Sequence, residues 1–185
     1  ELVVADGGEF IKGDAQDIRP NSGGGATLRV GEQTIEARRL IVAAGAWSHE
    51  LASKFGLNVP LQGERGYHMQ FAEPGVTLNN SVCDADRKFV ASSMEGGVRC
   101  AGTSEFNSLD AEPNWRRADI MKTLGREMMP ELNVSQGSPW MGRRPALPDT
   151  VPIVSKAPSH EGVYFAFGHG HYGLTAAPMT GRVIA

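Results

Sequence analysis

The stretch Leu40–Gly56, LIVAAGAWSHELASKFG, passes from an apolar run through small residues to a short amphipathic segment. The run Leu40–Ala43 does not alternate apolar with polar, which predicts a strand covered on both faces, as in a parallel sheet. Gly45 ends that strand. Ser48 is placed to accept the first free amides of a helix in which Leu51 and Phe55 lie four apart and Gly56 is the stop. Strand, glycine turn and short helix form the local unit of an α/β domain.

Upstream, NSGGGATLRVGEQTIEARR holds two β-prone runs, Thr27–Val30 and Thr34–Ala37, read as hairpin strands feeding the buried one. The first residues, ELVVADGGEFIKGD, already read as folded sequence with neither an initiator Met nor a signal-like region, so the chain is expected to be part of a longer protein.

Downstream the pattern changes. From ERGYHMQF at Glu64–Phe71 to VRCAGTSEF at Val98–Phe106 the strands alternate, with Glu95–Gly97 as a hairpin turn. NWRRADIMKTLGREMM places Trp115, Ile120, Leu124 and Met128 near helical spacing, with Pro130 just beyond, so one amphipathic helix is expected to cover this antiparallel sheet. The rest reads as a Pro-punctuated loop, a strand at Val163–Phe167, a turn of Gly and His, and a final helix with Pro178 in its first turn. The expected class is mixed α/β with α+β character, with residues 1–65 and 141–185 in one domain and 66–140 in the other.

The 185 residues suffice for one substantial core, or for one domain and part of another. With 18 Lys and Arg against 21 Asp and Glu, the formal charge of −3 offers no cationic field for nucleic acid or an anionic membrane. No apolar run approaches the roughly 20 residues of a membrane-spanning helix. Cys83 and Cys100 form neither a C-x-x-C pair nor a disulfide framework.

GHGHYG at Gly168–Gly173 has the spacing G-x-G-x-x-G after a strand, yet in a chain with 23 glycines that spacing alone is weak evidence for a pyrophosphate site. A helix start there would still aim the amides of Leu174, Thr175 and Ala176 at an anion or electron-rich carbonyl. AAGAW, Ala43–Trp47, offers a second point of close approach, although on its residues alone tight strand-to-helix packing is the favoured reading. His169 and His171, even with His160, lack the three or four convergent ligands of a zinc site, so no metal is expected.

Three stretches together, RRLIVAAGAWSHELASKFG, WMGRRPALPDTVPIV and GVYFAFGHGHYGLTAAPMTGRVIA, resemble the FAD-dependent oxidoreductases of the D-amino-acid oxidase superfamily, most of all D-amino-acid dehydrogenase small subunits. The resemblance covers nearly the whole chain and lacks the amino-terminal half where that family carries its own G-x-G-x-x-G. It implies part of a Rossmann-like FAD-binding domain joined to an antiparallel substrate domain. It places Gly168, His169, Gly170, Tyr172, Gly173, Leu174 and Thr175 near the flavin ring, and Ala43, Ala44, Gly45, Ala46 and Trp47 near the phosphates and ribityl chain. Ala15, in KGDAQDI, would lie by the adenine.

MGRRP matches the family's G-x-R-P at Arg144, whose planar guanidinium would hold both oxygens of a substrate carboxylate. The other reading of the residues is a solvated arginine, or one paired with Asp149 or another acid. Tyr67 is a second candidate for the substrate carboxylate, with a buried strand Tyr as its alternative; His171 is a third catalytic candidate, beside the ring. Neither Cys lies in the RRPALPD loop where some relatives attach flavin, so the FAD is expected to be non-covalent. The implied reaction is oxidation of D-amino acids or related secondary amino acids, with oxygen or a quinone as electron acceptor. The implied place is the cytoplasm or the face of the inner membrane; the oligomeric state stays open. The competing reading is a non-catalytic module of the same fold without cofactor.

Overall fold

The computed structural model describes residues 2–185. In chain order the elements are α1 (Leu2–Ala5), β1 (Ala15–Pro20), β2 (Ala26–Val30), β3 (Gln33–Ala37), β4 (Leu40–Val42) and α2 (Ser48–Ser53). There follow β5 (Gln62–Phe71), β6 (Val82–Asp84), β7 (Phe89–Met94), β8 (Gly97–Phe106), α3 (Arg116–Met128) and β9 (Gly137–Ala146). β10 (Ile153–Lys156), β11 (Val163–Phe167) and α4 (Gly173–Ile184) close the chain.

The chain divides into two compact units, Glu1–Leu61 with Leu147–Ala185, and Gln62–Ala146. The sequence put the crossings at 65/66 and 140/141. They fall at 61/62 and 146/147 because β5 and β9 pair along their whole length, from Gln62↔Ala146 to Phe71↔Gly137.

The first unit holds two three-stranded sheets, β1-β2-β3 and β10-β11-β4. β4 pairs parallel with β11, as its unbroken apolar run predicts. It is nevertheless a sheet edge with only one face covered: Val42 is 3% exposed and Ile41 51%. Phe55, Phe165 and Phe167 pack with Ala26 and Val42 in the core. Ser48 does not cap α2. A 3-10 turn at Gly45–Trp47 leads directly into the helix, so Ser48 is already a helical residue, fully buried, and its hydroxyl has no hydrogen-bond partner among the described residues.

The second unit is one antiparallel sheet in the order β6-β7-β8-β5-β9. Its core, between the sheet and α3, is built from Tyr67, Met69, Phe71, Phe89, Val98 and Met121. α3 forms where its spacing predicts, but the face it buries carries Ala118, Met121 and Gly125, leaving Trp115 and Ile120 each 43% exposed. The small residues let the helix approach the sheet, with Gly125 against Leu132 and Cys100.

β9 corrects the expectation of a Pro-punctuated loop. Pro139 and Pro145 lack the N–H that a central strand would need, and β9 is the sheet's outer strand, where a proline's missing donor costs least. Pro178 is likewise not in a first turn: α4 starts at Gly173, which puts the proline inside the helix.

Candidate functional site

Because β4 and β11 run parallel in the register Leu40↔Val163, Ile41↔Tyr164 and Val42↔Phe165, the segments after them leave the same end of the sheet. Ala43, Ala44 and Gly45 follow one strand; Gly168, His169 and Gly170 follow the other. The carboxyl ends of strands are where open α/β sheets bind ligands. Gly45 (φ +56°) and Gly170 (φ +53°) are both left-handed, and a Cβ on either would meet open space. Glycine is required there by the backbone turn, and the peptides beside it stay uncovered.

Each bend is closed by its own backbone: the Trp47 amide donates to the Ala44 carbonyl at 3.2 Å and the Tyr172 amide to that of His169 at 2.9 Å. The first bond of α4 runs from the Ala176 amide to the Tyr172 carbonyl, 2.8 Å. Ala176 is therefore engaged, and the amides ahead of that bond are those of Gly173, Leu174 and Thr175, at the positive end of the helix dipole. No acidic side chain stands in that first turn. The ring of His169 faces inward, its Nε2 2.9 Å from Thr180 Oγ1, and ties the bend to α4. His171 and Tyr172 are exposed, their ring centroids 6.4 Å apart, and Leu174 is 92% exposed. Ala46 is buried and Trp47 half-exposed. Ala15 is not at these bends: it opens β1 opposite Val30, at the end of the other sheet remote from the Ala37–Leu40 connection.

The second unit carries a groove of about 720 Å3 on the sheet face away from the core, lined by His68, Gln70, Arg99, Ser138, Trp140 and Arg144, with Ala72, Gly96, Ala101 and Pro139. The parity of a strand explains the lining: on β5, Arg65, Tyr67, Met69 and Phe71 are buried in the core, while Glu64, His68 and Gln70 stay half-buried on the other side. Arg144 lies opposite Glu64, with Nη1 3.6 Å from Glu64 Oε1. Its guanidinium leans over Gly66, filling the space a side chain would take there. His68 and Trp140, a cross-strand pair, stack with centroids 4.8 Å apart and planes 19° from parallel. Burial, with the nearby Arg99 adding to it, brings the His68 imidazole down to about 4, so it is neutral near pH 7. Arg143, one residue from Arg144, points to the other side and donates from Nε to the Leu109 carbonyl at 2.7 Å.

Tyr67 is a correction. It is 2% exposed, on the face opposite Arg144, and its hydroxyl donates to Glu105 Oε1 at 2.5 Å while accepting from the Asn114 amide at 3.0 Å. The groove residue is its neighbour His68, which the sequence could have supplied: on a strand, residues an even number apart share a face, and Arg144 pairs opposite Glu64.

The family described as DAO, FAD dependent oxidoreductase, matches residues 1–185. The chain belongs to the DAO family. It is 34% identical to the D-amino-acid oxidase of Bradyrhizobium diazoefficiens over 99% of this chain and 44% of that protein. With the D-amino acid dehydrogenase of Paramagnetospirillum magneticum it shares 32% identity over 86% of this chain and 38% of that one. It therefore spans less than half the length of these relatives. The glycine oxidase of Geobacillus kaustophilus shares the fold, with a TM-score of 0.76 at 24% identity over 92% of this chain and 46% of its own.

DAO-family proteins are FAD-dependent, and the carboxyl edge of the first unit suits part of such a cofactor. Ala43–Ala46 keep bulky side chains away from the backbone, and the amides of Gly173, Leu174 and Thr175 are donors for an electron-rich carbonyl. The exposed rings of Trp47 and Tyr172 give apolar cover at the same edge.

Proposed function

We propose that the chain is part of an FAD-dependent oxidoreductase that oxidises the C–N bond of D-amino acids or related secondary amino acids. Bound FAD would supply the oxidising power for removing a hydride from the α-carbon, and hydrolysis of the imine product would give a 2-oxo acid plus ammonia or amine.

The observation that carries the reading is Arg144 in the groove, its guanidinium over Gly66 and its side chain 34% exposed. A planar fork held in that way takes a carboxylate through two parallel N–H donors and fixes the α-carbon. The stacked pair of His68 and Trp140 forms an apolar wall, and the neutral imidazole adds no charge beside the bound acid. In the first unit, the turn from Gly170 to Thr175 and the dipole of α4 would stabilise negative charge developing on a ring carbonyl. Ala43–Trp47 would lie along the phosphates and ribityl chain.

The full-length protein should show flavin bands in its visible spectrum, bleached anaerobically by a D-amino acid; a folded but colourless protein supports the cofactor-free module instead. Arg144→Met should raise the substrate KM on the order of 100-fold or more, as loss of a charge-assisted bidentate contact does. The flavin spectrum should be unchanged. An unaltered KM removes Arg144 from substrate binding.

A further inference from the structure

We infer that the groove of the second unit selects amino acids carrying a second anionic group, the α-carboxylate at Arg144 and the second anion at Arg99. This rests on the reading of Arg144 as carboxylate anchor and adds to it the class of substrate.

Among the described residues, the groove is lined by two guanidinium groups and no acidic side chain. Arg144 has a counter-charge in Glu64, at the groove's edge. Arg99 has a neutral companion: its Nη2 donates to Gln70 Oε1 at 3.3 Å, and its Nε is buried with no hydrogen-bond partner among the described residues. A buried donor of a charged group left in that state is costly, and an anion at Arg99 answers both the charge and the missing acceptor. His68 stands between the two arginines along β5 and is held neutral partly by Arg99, so the cationic character of the groove comes from the guanidinium groups alone near pH 7.

Spacing sets the length of the ligand. The Arg144 guanidinium lies over Gly66, and Arg99 pairs opposite Gln70, four residues further along β5. Four strand residues span about 13 Å. With a charge-assisted contact of about 2.8 Å at each end, the gap suits two carboxylates joined by a few carbons. The wall between them, Trp140 stacked on His68 with Ala101 across the groove, is apolar enough for that linker. A dicarboxylic amino acid, or one whose N-substituent ends in a carboxylate, meets these conditions.

Binding is measured by titration calorimetry on the full-length protein at pH 7.5, using glutarate and its monoamide glutaramate, which match in size and differ by the second charge. Glutarate should bind roughly tenfold more tightly or better, the scale of one charge-assisted contact. Arg99→Gln should abolish that preference, the loss falling on glutarate, and Arg99→Lys should keep part of it. Equal affinities in the unmodified protein, a comparison that needs no variant, overturn the inference, as does a preference that survives Arg99→Gln. Arg144→Met should weaken both ligands. If it weakens neither, the carboxylate anchor itself is wrong; if it weakens both equally while the unmodified protein shows no preference for glutarate, the anchor stands and the second anion site falls.

Discussion

The two faces of β5 carry the same kinds of residue and put them to opposite uses. On the core face, Arg65 is fully buried, donates to the Glu112 carbonyl at 2.8 Å and stands 3.5 Å from Glu105 Oε1. Glu105 also accepts from Tyr67 and, on Oε2, from Arg117 Nε at 3.1 Å. On the groove face, Arg144 has its guanidinium partly in solvent and an acid at 3.6 Å. The first set is closed on itself, and a ligand could enter only by dismantling it. The second leaves donor capacity facing open space. Arginine, acid and ring residues therefore mark a site only when strand parity puts them on the uncovered side.

The contrast breaks most severely at Glu105. Glu105→Ala strands a fully buried guanidinium, and removing one partner of such a pair costs about 3–5 kcal/mol, so thermal unfolding should show a drop in midpoint of several degrees or more. Binding of carboxylates to whatever remains folded should be unaffected. If Glu105→Ala is as stable as the parent, the network is not what holds Arg65.

Gly66→Ala tests the other face. The added methyl would occupy the space of the Arg144 guanidinium, so the arginine must swing away. Substrate KM should rise to the level of Arg144→Met, on the order of 100-fold, with unfolding shifted far less than by Glu105→Ala. A retained KM means that Arg144 reaches the carboxylate from another rotamer.

Acid separates the faces by pH. The His68 pKa is lowered from 6.5 to about 4 by burial first and Arg99 second. The unfolded chain therefore binds this proton more readily, and the group's share of stability falls as pH drops from about 6.5 toward 4. Glu105 is shifted down by the Tyr67 hydrogen bond first, with Arg117 and Arg65 adding to it. Its contribution is present above the ordinary Glu range and is lost as pH falls through its folded value, so it acts at more acid pH. His68→Gln should flatten the higher limb of a stability–pH curve measured by chemical denaturation and leave the lower one.

How much of this was legible in the sequence follows from which forces were local. The parallel strand at Leu40, the hairpin about Glu95, the strand Val163–Phe167 and the helix ending at Met128 all came from periodicity and turn residues. β9 did not, because two prolines argue against a strand until one knows it is an outer one. Ile41 reads as buried, but what covers a face is a tertiary matter. The preference for Arg144 over Arg143 came from the resemblance to a family motif, and pairing explains it: Arg144 shares a face with Glu64 and Gly66, Arg143 with Arg65. Tyr67 suggests a ligand contact by residue type, but strand parity turns it into the core and leaves His68 on the groove face. Ser48 reads as a cap by composition, whereas the 3-10 turn ahead of it moves the helix start upstream. Arg99 carried no sequence signal; only its place on β8, across from Gln70, makes it a groove residue.

The smallest expected effect is the most discriminating about the groove. Glu64 is near enough to Arg144 to compete with an incoming carboxylate, and the partial exposure of Arg144 together with the 3.6 Å separation limits the worth of the pair to about 1 kcal/mol of stability or less. Glu64→Gln should therefore leave the thermal midpoint nearly unchanged and tighten carboxylate binding two- to fivefold by releasing the guanidinium. The alternative is that Glu64 aims Arg144, in which case the substitution weakens binding. Because the side chains are almost the same shape, the direction of the change separates competition for the guanidinium from positioning of it, and at Glu105, whose partner Arg65 is fully buried, the same exchange should cost stability and leave binding alone.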